Sequence, residues 1–145
     1  MFGEAAPSLI PQLARLLRTA LEAELDELGL TTQQGAVLMR VALGENTQIQ
    51  LAQLVGTDTA GMSRLVDRLV AKGLVTREAN PDDRRSSVVV PTEAGKALLP
   101  WVMPLYGKVG ARLLDGFTEE EKDQATALLL RMRENLRAPG SHSTK

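Results

Sequence analysis

Residues 51–95, LAQLVGTDTAGMSRLVDRLVAKGLVTREANPDDRRSSVVVPTEAG, decide the fold of this 145-residue chain. Two helical segments follow each other across a turn at Gly56, and the second ends before Gly73, since glycine commonly follows the last residue of a helix. Asn80-Pro81-Asp82-Asp83 then provides turn residues, and the β-branched stretch Ser87–Val90 favours a returning strand. The order predicts two helices joined by a tight turn, followed by a β-hairpin.

The second of these helices, starting at Asp58 or Thr59, has two different faces when it is wound at 100° per residue. The apolar face holds Met62, Leu65, Val66 and Leu69, and the opposite face holds Ala60, Arg64, Asp67, Arg68 and Ala71. An isolated helix of this kind usually just exposes a solvated charged face, but the hairpin directly after it favours a functional surface.

Small residues at the start of that outer face would let the helix enter the major groove of DNA closely. The planar fork of an arginine one turn later matches a guanine edge, so we expect Arg64 to read a base. Arg68 would meet phosphate, and hydroxyl groups near the helix start suit phosphate or base contacts. The residues that we assign to this contact are Thr57, Thr59, Ala60, Gly61, Ser63, Arg64 and Arg68.

Helices flank the decisive stretch on both sides. A leucine-rich stripe predicts a first helix over about 8–28, and four threonines occupy positions suited to capping further helices: Thr31, Thr47, Thr92 and Thr118. Pro100 and Pro104 should break or kink the helix after Thr92, because each removes a backbone donor. The predicted fold class is mainly α, with about six helices and a two-stranded wing hairpin in a winged helix-turn-helix arrangement.

Composition narrows the function. The chain has no cysteine, which excludes a disulfide scaffold, a Cys-type zinc finger and thiol redox sensing. The only histidine is His142, and no glycine-rich phosphate loop is present, so we expect no catalysis, no cofactor and no metal. Because no segment approaches the ~20 apolar residues of a membrane span, we expect a cytoplasmic protein with no membrane partner.

The charge distribution leaves two function classes open. The whole chain carries a net charge of −1, whereas residues 60–85 hold six Lys/Arg against four Asp/Glu. The local excess favours a nucleic-acid partner. The near-neutral total motivates the alternative of a winged-helix module that binds another protein or a small molecule without DNA.

Several motifs, in fixed order and spacing, resemble the MarR family of transcriptional regulators. They are Leu51–Leu54, Met62–Leu69, Lys72–Arg77, Asn80–Arg85 and Thr92–Gly95. The resemblance implies a homodimer whose two lobes bind the halves of a near-palindromic operator in double-stranded DNA. In this interpretation residues 31–91 form the DNA-binding lobe, residues 1–30 and 92–138 form the dimerisation helices, and residues 139–145 form a disordered tail.

The same resemblance assigns roles in the hairpin, which would be the wing. The family's Asp-x-Arg motif falls on Asp83 and Arg85, so Arg85 would enter the minor groove while Asp83 holds its guanidinium in place. A narrow minor groove has enhanced negative potential, which attracts arginine. A register that uses Asp82 with Arg84 stays open; in the first register Arg84 serves the DNA backbone. Both aspartates are equally suited to capping the turn.

Family members often bind small aromatic or phenolic ligands in a crevice between the dimerisation helices and the lobe. The resemblance therefore implies a small-molecule effector that releases a repressor from DNA, with the ligand-binding residues unknown. Trp101 and Tyr106 are candidates for lining such a crevice, but buried aromatic residues mostly serve packing. We expect core or dimer packing for both.

Overall fold

The computed structural model describes residues 5–137, which form six helices and one antiparallel hairpin and fall into two compact units that divide between Val109 and Gly110. This confirms the predicted fold class. The tail predicted at 139–145, with His142, lies outside the described residues. The elements are α1 (Ala6–Asp26), α2 (Thr32–Ala42), α3 (Gln48–Val55), α4 (Thr59–Ala71), β1 (Val75–Asn80), β2 (Asp83–Pro91), α5 (Glu93–Leu113) and α6 (Glu119–Arg137).

Side-chain caps fix where the helices begin. Thr31 Oγ1 accepts the Gln34 N–H at 3.1 Å, and Gln34 Oε1 accepts the Thr31 N–H at 3.1 Å, so two donors at the start of α2 are satisfied reciprocally. Thr118 and Glu121 form the same pair of bonds before α6. Asp58, rather than Thr59, caps α4, because its Oδ1 accepts the Gly61 N–H at 2.7 Å.

The turn between α3 and α4 requires a glycine. Gly56 closes α3 with φ of 86°, in the left-handed region that a side chain disfavours. The Gly56 and Thr57 N–H groups both donate to the Ala52 carbonyl at 3.0 Å, which ends the helix within one residue. Asp58 can therefore begin α4 directly after the turn.

The core of the first unit forms around the apolar face of α4. Met62, Val66 and Leu69 are fully buried, and Leu65 is 7% exposed, as the helical spacing predicts. The hairpin joins this core through Val89, which is 0% exposed and whose N–H donates to the Asn46 carbonyl at 2.8 Å. The wing is therefore bonded to the segment just before α3.

Lys72 ties the end of α4 to the junction between α1 and α2. Its Nζ donates to the carbonyl of Gly29, in the turn between α1 and α2, and to Gln34 Oε1 at 2.8 Å. Gln34 is only 4% exposed, so this bond helps to satisfy a buried polar side chain. Lys72 thus fixes the C-terminal end of α4 against two other helices.

The predicted break at Pro100 and Pro104 is wrong, since α5 continues as one helix through both residues; a kink there stays a prediction. The two prolines stand four residues apart, so Pro104 deprives Pro100 of a partner for its carbonyl, and Pro100 does the same to Lys96. Lys96, Pro100 and Pro104 are all exposed. Water can therefore hydrate the two carbonyls, and the helix tolerates the loss.

Trp101 and Tyr106, the two aromatic residues that the sequence singled out, differ in burial. Tyr106 packs against the core and donates its hydroxyl to the Thr32 carbonyl at the start of α2. Core packing is thereby confirmed for Tyr106. Trp101 is 67% exposed, so core packing is wrong for it, and its packing in a dimer stays a prediction.

Gly95 offers a test of how α5 meets the hairpin. A Cβ at Gly95 would lie 2.1 Å from the backbone oxygen of Leu74, whereas a Cβ at Gly107 in the same helix would meet nothing within 4 Å. We expect Gly95→Ala to lower the free energy of unfolding by about 1–3 kcal/mol through forced backbone displacement. The matched control Gly107→Ala should be neutral or raise it by up to about 1 kcal/mol. Equal effects in urea denaturation would contradict the close approach.

Tyr106 can be titrated cleanly, since it is the only tyrosine. Burial raises the pKa of its phenol from 10.0 to about 12, because desolvation disfavours the phenolate. The neutral form therefore contributes stability that is complete below pH 10 and is lost as the pH rises through 12. Near-ultraviolet absorbance should show ionisation near pH 12 in the folded protein and near pH 10 in denaturant. A native midpoint at the lower value would contradict this packing.

Candidate nucleic-acid interface

The outer face of α4 is open to solvent as the sequence predicts. Ala60, Arg64, Asp67, Arg68 and Ala71 are all exposed, as is Thr59 at the start of the helix. Within residues 5–137, Arg64 and Arg68 form no ion pair, so their positive charges remain available to a partner. This set of residues, the α4 strip, is a continuous helical surface with small residues first and cations after them.

A groove of about 260 Å³ runs along one edge of the α4 strip. Thr57, Gly61, Arg64 and Arg68 line it, so the structure brings together four of the residues predicted from the sequence. Thr31, Gln33 and Leu65 complete the lining. Sequence reasoning missed Thr31 and Gln33 as site residues, because Thr31 was recognised only as a helix cap. The spacing along the chain does not reveal that the start of α2 adjoins α4.

Gly61 lies close to two side chains of the turn. A Cβ at Gly61 would lie 2.2 Å from Thr57 Oγ1 and 3.0 Å from Asp58 Oδ1, so a larger residue would force the Thr57 side chain to move. Thr57 thus packs its hydroxyl over the first turn of α4. Because glycine has no side chain, nothing protrudes from this end of the α4 strip, and another molecule can approach the backbone closely.

Ser63 lies at the inner edge of the strip. The residue is half-buried, and its carbonyl accepts a hydrogen bond from Arg77 Nη2 at 3.0 Å. Arg77 on β1 also donates from Nη1 to Asp67 Oδ1 at 2.7 Å. Sequence reasoning counted Arg77 only as one of the local cations. The structure shows that its charge is balanced by Asp67 on α4.

The hairpin differs from its predicted outline. The strands pair regularly from Val75 with Pro91 to Ala79 with Ser87, and then the register shifts so that Asn80 pairs with Asp83. Arg84, Arg85 and Ser86 therefore bulge out of the ladder. The expectation that the returning strand begins at Ser87 is wrong, since β2 starts at Asp83 and the turn itself is Pro81-Asp82.

Asp83 contacts Arg85 in two ways. Its Oδ1 accepts the Arg85 backbone N–H at 3.0 Å and lies 3.9 Å from the Arg85 Nε. The Arg85 side chain is nevertheless 95% exposed, so the guanidinium projects from the tip. Asp82 takes part in the turn instead, donating its N–H to Asn80 Oδ1 at 2.9 Å. The geometry matches the register in which Asp83 holds Arg85, and Arg84 lies exposed beside it.

Two other kinds of site are absent from the part of the chain that the structure describes. No group of three or more His, Cys, Asp or Glu residues between 5 and 137 is placed to hold a metal ion. None of the helices in that range is long and apolar enough to span a membrane.

A short helix, a glycine turn, a second helix with an exposed cationic face and an antiparallel hairpin define a winged helix-turn-helix protein. The MarR family model matches residues 28–86, which cover α2 to the wing tip. Transcriptional regulator PA3341 is 32% identical over 92% of this chain and 98% of that chain, with a TM-score of 0.78. The chain belongs to the MarR family, whose members are transcriptional regulators.

Two further solved structures are similar over nearly the whole chain. A mutant MarR from E. coli complexed with operator DNA is 29% identical, covering 91% of this chain and 97% of that one, with a TM-score of 0.72. CouR from Rhodococcus jostii RHA1, bound to p-coumaroyl-CoA, has a TM-score of 0.81 over 92% of this chain and 94% of that one. At 23% identity its likeness is one of fold.

Proposed function

We propose that this protein is a sequence-specific, double-stranded-DNA-binding transcriptional repressor that acts as a homodimer on a near-palindromic operator. The observation that carries the proposal is the α4 strip, in which Arg64 and Arg68 are exposed and free of ion pairs within the described chain. An uncompensated pair of arginines on a protruding helix next to an arginine-tipped hairpin suits the potential of a DNA groove.

In this proposal the α4 strip enters the major groove. Ala60 and Gly61 allow a close approach, Arg64 donates two hydrogen bonds to a guanine edge, and Arg68 contacts phosphate. The hydroxyl groups of Thr57, Thr59 and Ser63 add phosphate or base contacts near the helix start. Base reading thus depends on Arg64, while the other residues set register and affinity.

The wing reaches a second groove. Arg85 enters the minor groove, where Asp83 limits the conformations of its backbone and guanidinium, and Arg84 contacts the adjacent DNA backbone. Holding a long cationic side chain before binding reduces the entropy lost on association. The exposed tip and the bond from the Arg85 N–H to Asp83 support this role.

The homodimer is supported by apolar surface on the helices outside the lobe. Leu13 and Leu16 of α1 are 45% and 60% exposed, and Leu129 and Leu136 of α6 are 55% and 91% exposed. Exposed apolar side chains that share one face of a helix, as each of these two pairs does, mark interaction surfaces. We propose that residues 1–30 and 92–138 form the dimer interface, where Trp101 would also be covered, and that residues 31–91 form the DNA-binding lobe.

Binding alone would account for repression, since two lobes bound to an operator block the access of other proteins to that DNA, and no further interaction surface is needed. For release we propose a small aromatic or phenolic effector in the groove of about 290 Å³ between α1 and the start of α2. Arg18, Glu22 and Asp26 of α1 line that groove, together with Thr31, Thr32 and Gln33. This charged lining suits polar ring substituents. CouR, bound to p-coumaroyl-CoA, supports effector binding on this fold.

The decisive variant is Arg64→Ala, measured on the tightest duplex selected from a random pool. The parent's log affinity should fall linearly with log salt, because phosphate contacts release counterions. Arg64→Ala should cost about 1–3 kcal/mol and relax the preference for one base pair, whereas Arg68→Ala should weaken all duplexes alike and reduce the salt slope by about 1.

Arg40→Ala is the matched control, because Arg40 lies in the same lobe but is paired with Glu45 at 3.1 Å, outside the α4 strip and the wing. It should bind like the parent. If Arg64→Ala also binds like the parent, Arg64 is not the reader. A parent protein that binds no duplex even at low salt would instead be a winged-helix module for protein or small-molecule partners.

A further inference from the structure

Arg77 stands at the point where three elements of the lobe meet. From β1 its Nε donates to Gln48 Oε1 of α3 at 2.8 Å, its Nη1 to Asp67 Oδ1 of α4 at 2.7 Å, and its Nη2 to the Ser63 carbonyl of α4 at 3.0 Å. Each guanidinium nitrogen therefore has its own acceptor. Only arginine presents donors in such a rigid fork, so a lysine could not make the same three bonds.

The opposite strand is anchored at the same level of the hairpin. Arg77 is paired in the ladder with Val89, and the Val89 N–H donates to the Asn46 carbonyl just before α3 at 2.8 Å. At this level β1 is thus bonded to α3 and α4, and β2 is bonded to the segment just before α3, where Val88 also forms an isolated bridge with Thr47. Beyond Glu78 and Val88 the hairpin continues to the bulge that carries Arg85.

The surroundings of Arg77 do not suit a phosphate contact. Its side chain is 30% exposed and its charge is offset by Asp67, whereas Arg85 is 95% exposed at the tip. All three guanidinium nitrogens of Arg77 already have acceptors within the lobe, so a phosphate contact would have to replace one of these bonds. The guanidinium serves contacts within the lobe.

We propose that Arg77 is a positioning residue that fixes the wing relative to the recognition helix, so that Arg85 meets its groove while α4 occupies the neighbouring one. This inference rests on the proposed DNA-binding function and adds to it a residue that need not touch DNA. Because the hairpin is held at the Arg77–Val89 pair, the outer part of the hairpin takes its direction from these contacts. Loss of the Arg77 contacts lets the outer hairpin change its orientation and displaces Arg85.

The test is a set of double-mutant cycles on the selected duplex. In the parent background Arg85→Ala should weaken binding by roughly tenfold or more. In the Arg77→Met background, which keeps the aliphatic stem, Arg85→Ala should cost less than about threefold, because the arginine is no longer in place. Arg64→Ala should keep its full cost in both backgrounds, since α4 itself is held by its buried face. If Arg77→Met instead caused a general loss of structure, the affinity losses caused by Arg85→Ala and by Arg64→Ala would both become smaller.

Arg77→Lys distinguishes positioning from charge. It keeps the positive charge but loses the fork, so it should bind as weakly as Arg77→Met, and the two variants should share one salt slope, because both displace the same wing contacts. If Arg77 were a phosphate contact, Arg77→Lys would keep most of the affinity and the salt slope of the parent, whereas Arg77→Met would reduce the slope by about 1. That outcome, or an unchanged cost of Arg85→Ala, would overturn the inference while leaving the proposed function intact.

Asp67→Asn provides a milder disturbance in case Arg77→Met unfolds. Asp67 is 63% exposed on its side chain, so the protein should tolerate the change, which removes the charge opposite Nη1. Asp67→Asn should also reduce the loss of affinity that Arg85→Ala causes, but by less than Arg77→Met does. Arg40→Met, which breaks the ion pair with Glu45 at 3.1 Å, is the matched control and should leave that cost unchanged. An Asp67→Asn variant that behaves like this control would count against the inference.

Discussion

The structure depends first on the burial of one face of α4. Met62, Val66 and Leu69 are fully enclosed, and burying a side chain of this size is worth about 1.5–3 kcal/mol. Turning the helix to present another face would expose these side chains and bury arginines, at a cost comparable to the whole stability of a small domain. The direction in which Arg64 and Arg68 point is therefore set by the core.

The second constraint is the junction of helices and hairpin around the core. Lys72 holds the C-terminal end of α4 to Gly29 and Gln34, while Arg77 holds its middle to β1. Both cations use their donors inside the lobe. The basic residues of the stretch thus separate into two groups: those that build the lobe, and those, such as Arg64 and Arg85, that remain exposed.

This separation also reconciles a net charge of −1 with the proposed partner. What a DNA phosphate meets is the local field of exposed, unpaired cations rather than the sum over the chain. Within the α4 strip the negative charge of Asp67 is offset by Arg77 of β1. Asp83 lies 3.9 Å from the Arg85 Nε, and the Arg85 side chain is 95% exposed, so its charge remains open to solvent at the tip.

Periodicity and capping were sufficient to predict the helices, because both act within a few residues. The buried face of α4, the capping pair Thr31–Gln34 and the turn at Gly56 are local features of this kind. Contacts between distant segments were not accessible: Arg77 meets Gln48 across 29 residues, and Gln33 reaches the α4 groove only after folding. The continuity of α5 through Pro100 was missed because it depends on solvent reaching carbonyls on one exposed face.

The strand register at the hairpin bulge likewise could not be predicted from the sequence. The motif allowed Asp82 with Arg84 or Asp83 with Arg85; in the structure the strand pairing shifts after Ala79, and Asp83 contacts Arg85. The assignment of these residues to DNA stays a prediction. So does the pairing of two copies of the chain, which would place two α4 strips on one face of a duplex.

Selection of bound duplexes from a random pool tests the central claim most directly, because the protein itself then chooses the operator sequence. A two-fold dimer with one α4 strip per lobe predicts inverted half-sites centred about 10 bp apart, or a multiple of that helical repeat. Each half-site should contain one position at which the parent protein selects a particular base pair and the Arg64→Ala variant does not. Enrichment of unsymmetrical sequences, or no enrichment at low salt, would contradict the account.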